Sequence, residues 1–191
     1  GESRASADGI HAYEDATEIA FESIAEATKP TIAMIDGYCI GGGLGIALSC
    51  DIRLAAEGST FGIPAAKLGL AYGVGGTGRL VHAVGPSFAK EIFFTARRFT
   101  AQEAIAMGLI NRIATREALE NFTRDYCSLI AENAPLTVGT AKRVVDELTK
   151  IPENFEHEKC EEMIARCFAS EDYAEGRAAF MEKRKPVFKG R

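Results

Sequence analysis

The 191-residue sequence lacks the features that mark several protein classes. It has no apolar run approaching the roughly 18 residues of a transmembrane helix and no basic-then-apolar leader, so we expect no membrane association. It also has no basic excess: 22 lysines and arginines face 27 aspartates and glutamates, for a net charge of −5. That balance argues against a nucleic-acid partner, apart from a small basic cluster near the C-terminus.

Cysteine and histidine are present without the spacings that give them structural roles. The five cysteines are odd in number and include no Cys-x-x-Cys pair. This pattern indicates reduced thiols in a cytoplasmic protein, and it fits neither a disulfide framework nor a zinc site. His11, His82 and His157 lie too far apart in sequence to match a metal-binding spacing. We therefore expect no metal site.

The first part of the chain alternates strands and helices. Apolar residues form 47% of the sequence, enough for a folded core. Strand–helix–strand order with short links favours an α/β fold with a mostly parallel sheet. Strands are predicted over 31–35, 51–56, 59–63 and 109–113, and helices over 12–27, from the turn near 42 to 50, and over 78–84, 86–95 and 100–108.

The second part is helical throughout, which divides the chain into an α/β core over 1–115 and a helical region over 116–191. The apolar residues of the helical region exceed what a lone hairpin of helices could bury. We expect them to pack against the core or against another subunit. Helices are predicted over 117–134, 135–150, 154–170 and 171–184.

The clearest functional signal is the stretch 37–45, Gly-Tyr-Cys-Ile-Gly-Gly-Gly-Leu-Gly. Adjacent glycines let the backbone pass where a Cβ would clash and adopt φ values closed to other residues. Amides that open a helix have no partner inside it and lie at its positive dipole end. Such a turn can hold an oxyanion that develops during a reaction, although a tight strand-to-helix turn without function has the same sequence.

A second glycine-rich stretch, 73–78, fits the G-x-G-x-x-G pattern of dinucleotide-binding folds. That fingerprint needs a strand before it and an acidic residue on another strand about 20 residues later. The corresponding region contains Arg97 and Arg98, and no strand is predicted before Leu109. We therefore interpret 68–78 as a loop and not as a nucleotide site.

Several blocks in order make the chain resemble the enoyl-CoA hydratase/isomerase (crotonase) family from about Lys29 to the C-terminus. They are the glycine turn, Ser59–Pro64, Gly75-Gly76-Thr77, Thr100–Ile110 and Glu182–Pro186. The resemblance implies a ββα spiral core with a C-terminal all-helical trimerisation region. It also implies an acyl-CoA substrate, no cofactor beyond the coenzyme A of that substrate, and a homotrimer or a hexamer of two trimers. Family members begin further upstream, so we expect N-terminal strands to precede Gly1.

The family's shared chemistry is a thioester carbonyl oxygen that becomes an enolate oxyanion held by two backbone N–H groups. The resemblance assigns one of these to the middle glycine of the turn, Gly42, and the other to a segment that would precede Gly1. Losing one such donor typically weakens transition-state binding by about 3 kcal/mol. Further contacts with the acyl-CoA are implied for Ile40, Gly41, Gly43, Pro64, Leu70, Phe180 and Lys183.

The chain departs from the hydratase pattern at both proton-transfer positions. Gly45 and Ala65 stand where hydratases carry their two glutamates, and neither residue can move a proton. Water addition to a double bond needs a positioned base and acid, worth roughly 10²–10⁴-fold each. Glu57 and Lys67 are nearby in sequence and could substitute only if their side chains faced the site.

Tyr72 provides a different chemistry, because it falls where some acyl-CoA decarboxylases of the family carry a tyrosine. Loss of carbon dioxide leaves an enolate without a base, and a pocket without carboxylates would not repel a substrate carboxylate. Packing is the alternative role for Tyr72. Phe180 and Lys183 could likewise contact coenzyme A bound to a neighbouring subunit or form a solvated helix end. A catalytically silent CoA-binding subunit remains a further hypothesis, and RNA binding a remote one.

Overall fold

The computed structural model of the 191-residue chain describes residues 7–150 and 156–191, with side chains from Ala16 onward. Contacts divide the chain into two compact units. The first comprises the residues up to Ala27 together with Thr31–Phe122, and the second comprises Thr28–Pro30 together with Thr123–Arg191. The predicted domain boundary at residue 115 stays a prediction, although the division by contacts falls only a few residues beyond it.

The first unit is built from repeated strand–strand–helix steps. It opens with helix α1 (Ala7–Ala25), followed by β1 (Ile32–Ile35), β2 (Tyr38–Ile40) and α2 (Gly42–Ser49). The next step is β3 (Ile52–Ala56), β4 (Thr60–Gly62) and, after a short 3-10 helix, α3 (Val74–Thr95). The unit ends with β5 (Phe99–Thr100), α4 (Ala101–Ala106) and β6 (Arg112–Ala114).

Each step places one strand in each of two small sheets. One sheet has the order β1-β3-β6 with all pairs parallel, and Ile35 aligns with Ala55. The other has the order β2-β4-β5, in which β2 and β4 are parallel and β4 and β5 antiparallel. The α/β class with a ββα spiral is therefore confirmed, whereas the prediction of one mostly parallel sheet is corrected to two sheets.

The predicted strands at 31–35, 51–56 and 59–63 are confirmed, and two strands were missed. β2 lies between Gly37 and Gly41, inside the stretch interpreted as a turn, and its three residues are too few to show a period of two. β5 has two residues. The edge strand expected at 109–113 begins at Arg112 instead, because Leu109 donates its N–H back to Ala104 to close helix α4.

The segment interpreted as a loop, 68–78, is half helical. Ala65–Leu68 form the 3-10 helix, and α3 begins at Val74 within the glycine-rich stretch. Helix α3 then kinks at Gly85, whose φ is 74°, with Pro86 behind it, so the two predicted helices form one kinked element. The capping box is confirmed: Thr100 accepts from the N–H of Glu103, and the Glu103 carboxylate accepts from the N–H of Thr100.

The core of the first unit lies where the sheets meet α2, α3 and α4. Its central side chains are fully buried Leu44, Phe61, Leu80, Phe99 and Leu109. Each buried leucine or phenylalanine of this kind contributes about 1.5–3 kcal/mol of transfer free energy to folding. The core thereby fixes the start of α2 and the end of β4, the two points at which the site described below is built.

The second unit contains the four predicted helices. They are α5 (Leu119–Ala131), which begins in the first unit, α6 (Pro135–Leu148), α7 (His157–Phe168) and α8 (Glu171–Glu182). The predicted start of the third helix at Asn154 lies outside the described residues. Pro135 opens α6 at a position where its missing N–H is harmless. Several apolar side chains remain exposed, as the apolar surplus predicted: Leu129, Val145, Leu148, Phe168 and Phe180.

Among the described residues, no helix combines the length and apolar character needed to cross a bilayer. The same residues contain no group of three or more histidine, cysteine or acidic side chains that could hold a metal ion. His82 and His157 are exposed, and the side chain of His11 lies outside the described part of the chain. None of the five cysteines forms a disulfide, and Cys39 and Cys160 are buried.

Gly62 gives a stability prediction, because its Cα lies against backbone that cannot move aside. A Cβ on Gly62 would lie 2.7 Å from the carbonyl oxygen of Arg97. We expect Gly62→Ala to lower the free energy of unfolding by about 2 kcal/mol, measured by urea titration. Gly58→Ala is the matched control, since a Cβ there would have no atom within 4 Å. Equal midpoints for the two variants would contradict the tight packing at Gly62.

Candidate active site

A cleft of about 590 Å³ lies in the first unit where α1, the start of α2, the 3-10 helix and the start of α3 meet. Its walls are mostly glycine and apolar side chains, with three polar side chains among the described lining residues, those of Thr17, Glu18 and Tyr72. A pocket of this size and character suits a small organic ligand. The remaining lining residues are Phe21, Gly41, Gly42, Ile63, Pro64, Ala65, Leu68, Leu70, Ala71, Gly73, Val74, Gly75 and Gly76.

The glycine turn forms one wall of this cleft. Gly41 has φ 57° and ψ −118°, a conformation that a residue with a Cβ rarely adopts, and it turns the chain from β2 into α2. The N–H of Gly41 is held by the carbonyl of Gly62 at 2.9 Å, and the first helical bond runs from Gly45 N–H to Gly41 O at 3.0 Å. Gly42 is the first residue of α2, so its N–H precedes every intrahelical bond.

Tyr72 lies in the same cleft, beside the turn. Its hydroxyl donates a long hydrogen bond of 3.5 Å to the carbonyl oxygen of Gly41, the residue before Gly42. Its ring packs against Phe93 with 5.4 Å between centroids and covers Gly76, where a Cβ would lie 2.7 Å from Tyr72 Cε1. The ring is therefore fixed by packing while the hydroxyl reaches the wall that contains Gly42.

A glutamate at Gly45 would require the ring of Phe21 to move. A Cβ on Gly45 would lie 2.6 Å from Phe21 Cζ, and Phe21 of α1 is itself buried. The aromatic ring thus fills the space into which a longer side chain at Gly45 would extend. Glycine at position 45 therefore allows Phe21 of α1 to pack against α2, so the loss of the carboxylate is linked to the packing of another helix.

Ala65 opens the 3-10 helix, is buried and lines the cleft with its methyl group. Among the described residues that line the cleft, neither Glu57 nor Lys67 is present, and both are exposed. The two side chains considered as substitutes for the missing glutamates therefore face elsewhere. Neither position of the usual glutamate pair brings a carboxylate to this cleft.

Sequence reasoning missed the one carboxylate that the described residues bring to the cleft, that of Glu18. Its two oxygens pair with both terminal nitrogens of the Arg79 guanidinium, at 2.5 Å and 3.3 Å. Arg79 in turn lies over the ring of Phe21, 5.6 Å from its centroid. Thr17, Glu18 and Phe21 share one face of α1, but no motif connects them with Arg79, which is 61 residues from Glu18 along the chain.

Comparison with known proteins decides the family. The model of the enoyl-CoA hydratase/isomerase family matches residues 6–191. An enoyl-CoA hydratase/isomerase family protein from Hyphomonas neptunium superposes with a TM-score of 0.91 at 38% identity, over 98% of this chain and 71% of that one. The chain belongs to the enoyl-CoA hydratase/isomerase family. This confirms the resemblance drawn from the glycine turn and the blocks that follow it.

Curated relatives of the family carry different reactions in their names. The short-chain-enoyl-CoA hydratase of Clostridium acetobutylicum is 38% identical over 157 residues, which are 82% of this chain and 60% of that protein. The methylmalonyl-CoA decarboxylase of Escherichia coli K12 is 37% identical over 181 residues, 93% of this chain and 69% of that protein. The chain thus spans about 60% of the length of the hydratase that it matches.

The cleft brings together six of the residues that the family resemblance singled out: Gly41, Gly42, Pro64, Ala65, Leu70 and Tyr72. Three others, Ile40, Gly43 and Gly45, are absent from the lining that the described residues form. Ile40 ends β2, Gly43 is exposed on the first turn of α2, and Gly45 is buried under Phe21. The contacts with acyl-CoA assigned to Ile40 and Gly43 stay predictions.

Phe180 and Lys183 lie in the second unit, at the end of α8. Phe180 is 83% exposed at the edge of an apolar groove of about 860 Å³ between α6, α7 and α8. Lys183 is exposed and ends α8 with φ 55°, a left-handed cap in a residue other than glycine. Their roles towards coenzyme A stay predictions of the family resemblance.

The chain after Lys183 returns along α8 and is held there by carboxylates. Arg184 pairs with both oxygens of Glu175, at 2.6 Å and 2.8 Å, and the N–H of Val187 donates to the same carboxylate at 2.9 Å. The N–H groups of Lys189 and Gly190 both donate to Asp172 at 2.7 Å. These bonds fix the basic C-terminal segment, which gives it a defined shape.

Acid is expected to loosen this segment. The hydrogen bonds from Arg184, and then that from Val187, lower the pKa of Glu175 from 4.5 to about 2. Because the folded pKa lies below the unfolded one, the stabilisation is complete above about pH 4.5 and is lost as the pH falls towards 2. The protection factor of the Val187 amide in hydrogen exchange should fall over that range. In Glu175→Gln it should already be low at pH 5, and wild-type-like protection there would contradict the role of Glu175.

Proposed function

We propose that this protein processes acyl-CoA thioesters by stabilising their enolate at the N–H of Gly42. The observation that carries the proposal is the position of Gly42, which opens α2 on the wall of an apolar cleft. An N–H at a helix start points along the axis with the positive end of the dipole behind it, and it favours a developing negative charge. Family membership supports a thioester as the source of that charge.

The walls of the cleft favour reactions other than water addition. Gly45 and Ala65 supply no acid or base, and the space at Gly45 is filled by Phe21. Water addition needs a base to activate water and an acid opposite it, and among the described residues that line the cleft Glu18 alone carries a carboxylate. We therefore propose that isomerisation or decarboxylation is faster than hydration, although a hydratase is among the most similar curated relatives.

A panel of thioesters tests this proposal. The full-length protein is incubated with crotonyl-CoA, a 3-enoyl-CoA and a malonyl-type CoA ester, and the products are followed by mass. Turnover of the second or third ester at least tenfold faster than hydration of the first is expected. Micromolar binding of CoA esters without any turnover would instead favour a silent CoA-binding subunit, and absence of both would refute the proposal.

Decarboxylation is the second candidate, favoured by the hydroxyl of Tyr72 beside Gly41. A hydroxyl there could orient the substrate carboxylate or return a proton to the enolate after carbon dioxide leaves. The identity with a methylmalonyl-CoA decarboxylase supports this candidate. The expectation of a pocket without carboxylates, which favoured this candidate, is wrong, because the cleft contains the carboxylate of Glu18. Arg79 pairs with that carboxylate, which reduces its repulsion of a substrate carboxylate.

Assembly and location follow as further proposals. We propose a homotrimer, alone or paired as a hexamer, in the cytoplasm. The exposed apolar side chains of the helical unit, Leu129, Val145, Leu148, Phe168 and Phe180, support an interface with another subunit. Sedimentation of the full-length protein should give three or six times the monomer mass, and a monomer at micromolar concentration would refute this part.

A further inference from the structure

Enolate formation without loss of carbon dioxide, as in isomerisation, requires a group that removes the α-hydrogen. If the protein isomerises acyl-CoA esters, as proposed above, the cleft must contain such a group, and neither Gly45 nor Ala65 can be it. We propose that Glu18 is the proton-transfer carboxylate of this cleft and that Arg79 is the residue that positions it. Among the described residues that line the cleft, Glu18 is the one with a carboxylate.

The fold brings Glu18 into the same cleft as Gly42 and Tyr72. Tyr72 covers Gly76, and Glu18 Oε1 contacts the position at which a Cβ on the preceding Gly75 would lie. The two side chains therefore contact consecutive glycines of the first turn of α3 and line the same cleft. A Cβ at either glycine would displace one of them, which gives the Gly75-Gly76 pair a physical reason. Gly42 lines the same cleft.

Arg79 holds the carboxylate in one orientation. Two hydrogen bonds from one guanidinium to both carboxylate oxygens form a bidentate pair, the geometry that fixes direction as well as distance. Arg79 is itself restrained by its position over Phe21 and is 18% exposed, against 39% for Glu18. Among the described residues that line the cleft, Arg79 does not occur, so it acts through Glu18.

The step balances without any co-reactant. A carboxylate oxygen of Glu18 takes the α-hydrogen of the acyl group as a proton, and the C–H bond breaks. Its electron pair forms the carbon–carbon double bond of the enolate, while the carbonyl π pair moves to oxygen and is held by Gly42 N–H. The proton then returns from Glu18 to the α-carbon or, in a 3-enoyl ester, to the γ-carbon while the β,γ-double bond shifts to the α,β position. The carbonyl re-forms, and the carboxylate is restored. Such proton transfer by a positioned side chain contributes roughly 10²–10⁴-fold.

Deuterium exchange isolates this step from the rest of the reaction. The full-length protein is incubated with butyryl-CoA in D₂O, and the mass of the ester is followed while binding is measured separately. The wild type should exchange the α-hydrogens. Glu18→Gln should slow exchange at least 100-fold while the Kd for butyryl-CoA changes less than threefold. Glu22→Gln, one turn further along α1 and exposed, is the matched control and should exchange like the wild type.

Two further variants separate a chemical role from a structural one. Glu18→Asp keeps the charge but withdraws it by one methylene, so exchange should slow about tenfold even if the Gln variant does not fold. Arg79→Gln should slow exchange about tenfold while the Kd for butyryl-CoA changes less than threefold, because the carboxylate loses the bidentate partner that orients it. A pair that only ties α1 to α3 would shift thermal stability and leave the exchange rate of the folded variant unchanged.

The outcomes distinguish this inference from the function on which it rests. Wild-type exchange that persists in folded Glu18→Gln or is unchanged in Glu18→Asp would overturn the role of Glu18 and leave the thioester function intact. Binding of butyryl-CoA without exchange by the wild type would do the same. Absence of butyryl-CoA binding by the wild type would remove the proposed function itself, and this inference with it.

Discussion

Replacing Gly42 with proline is expected to lower the turnover of the preferred acyl-CoA ester by about 10²–10³-fold, corresponding to about 3 kcal/mol of transition-state stabilisation. The substitution removes the one N–H that opens α2 on the cleft wall. Because the interaction strengthens as the carbonyl oxygen becomes anionic, the loss should fall mainly on kcat and much less on KM. Steady-state kinetics with the full-length protein measure both.

The backbone at this position tolerates proline, so the variant should fold. Gly42 is the first residue of α2, where proline is favoured, and a Cβ there would have no atom within 4 Å. Gly41, which precedes it, has φ 57° and ψ −118°, the mirror image of an extended conformation. Residues before proline favour an extended backbone, and glycine, being achiral, adopts the mirror image equally well. Gly42→Ala keeps the N–H and is the matched control. A similar loss in both variants would attribute the effect to bulk in the cleft.

Tyr72→Phe is expected to lower carbon dioxide release from a malonyl-type CoA ester by about 10²-fold or more, if decarboxylation is the reaction. The variant removes the hydroxyl that reaches Gly41 O and leaves the ring, which packs on Phe93 and Gly76. Stability should therefore change little. Release of labelled carbon dioxide and a thermal melt on the same sample measure the two effects.

Tyr38→Phe is the control for this substitution, because Tyr38 is 75% exposed and does not belong to the cleft lining of the described residues. It should release carbon dioxide at the wild-type rate. Unchanged release by Tyr72→Phe would remove the hydroxyl from the mechanism and reduce Tyr72 to a packing residue. The proton-transfer role of Glu18 would be unaffected, because it is tested on a saturated ester without a carboxylate.

The glycine turn could be located from sequence because its function is local. Gly41 and Gly42 need nothing beyond their immediate neighbours to turn a strand into a helix, and the start of α2 lies where the pattern predicts it. The capping box of α4 is of the same kind, since Thr100 and Glu103 bond to each other across one turn. Features whose residues all lie within one helical turn can therefore be predicted from the sequence.

The pair Glu18 and Arg79 could not be found in this way, because its partners come from α1 and α3. Nothing in the sequence near Glu18 distinguishes it from the other acidic residues of α1, such as Glu22. The reason for glycine at position 45 is equally remote, since it is the ring of Phe21 from α1 that occupies the space. β2 was missed for a different reason: three residues between two turns give no period to read.

The most direct test is the infrared carbonyl stretch of an acyl-CoA ester labelled with ¹³C at the thioester carbon and bound to the full-length protein. A hydrogen bond from Gly42 N–H polarises that carbonyl, so the stretch should move to lower frequency in the wild type and in Gly42→Ala. In Gly42→Pro the shift should be clearly smaller, because one of the two N–H donors is removed. An equal shift in all three proteins, or no shift in the wild type, would contradict an oxyanion-binding role for Gly42.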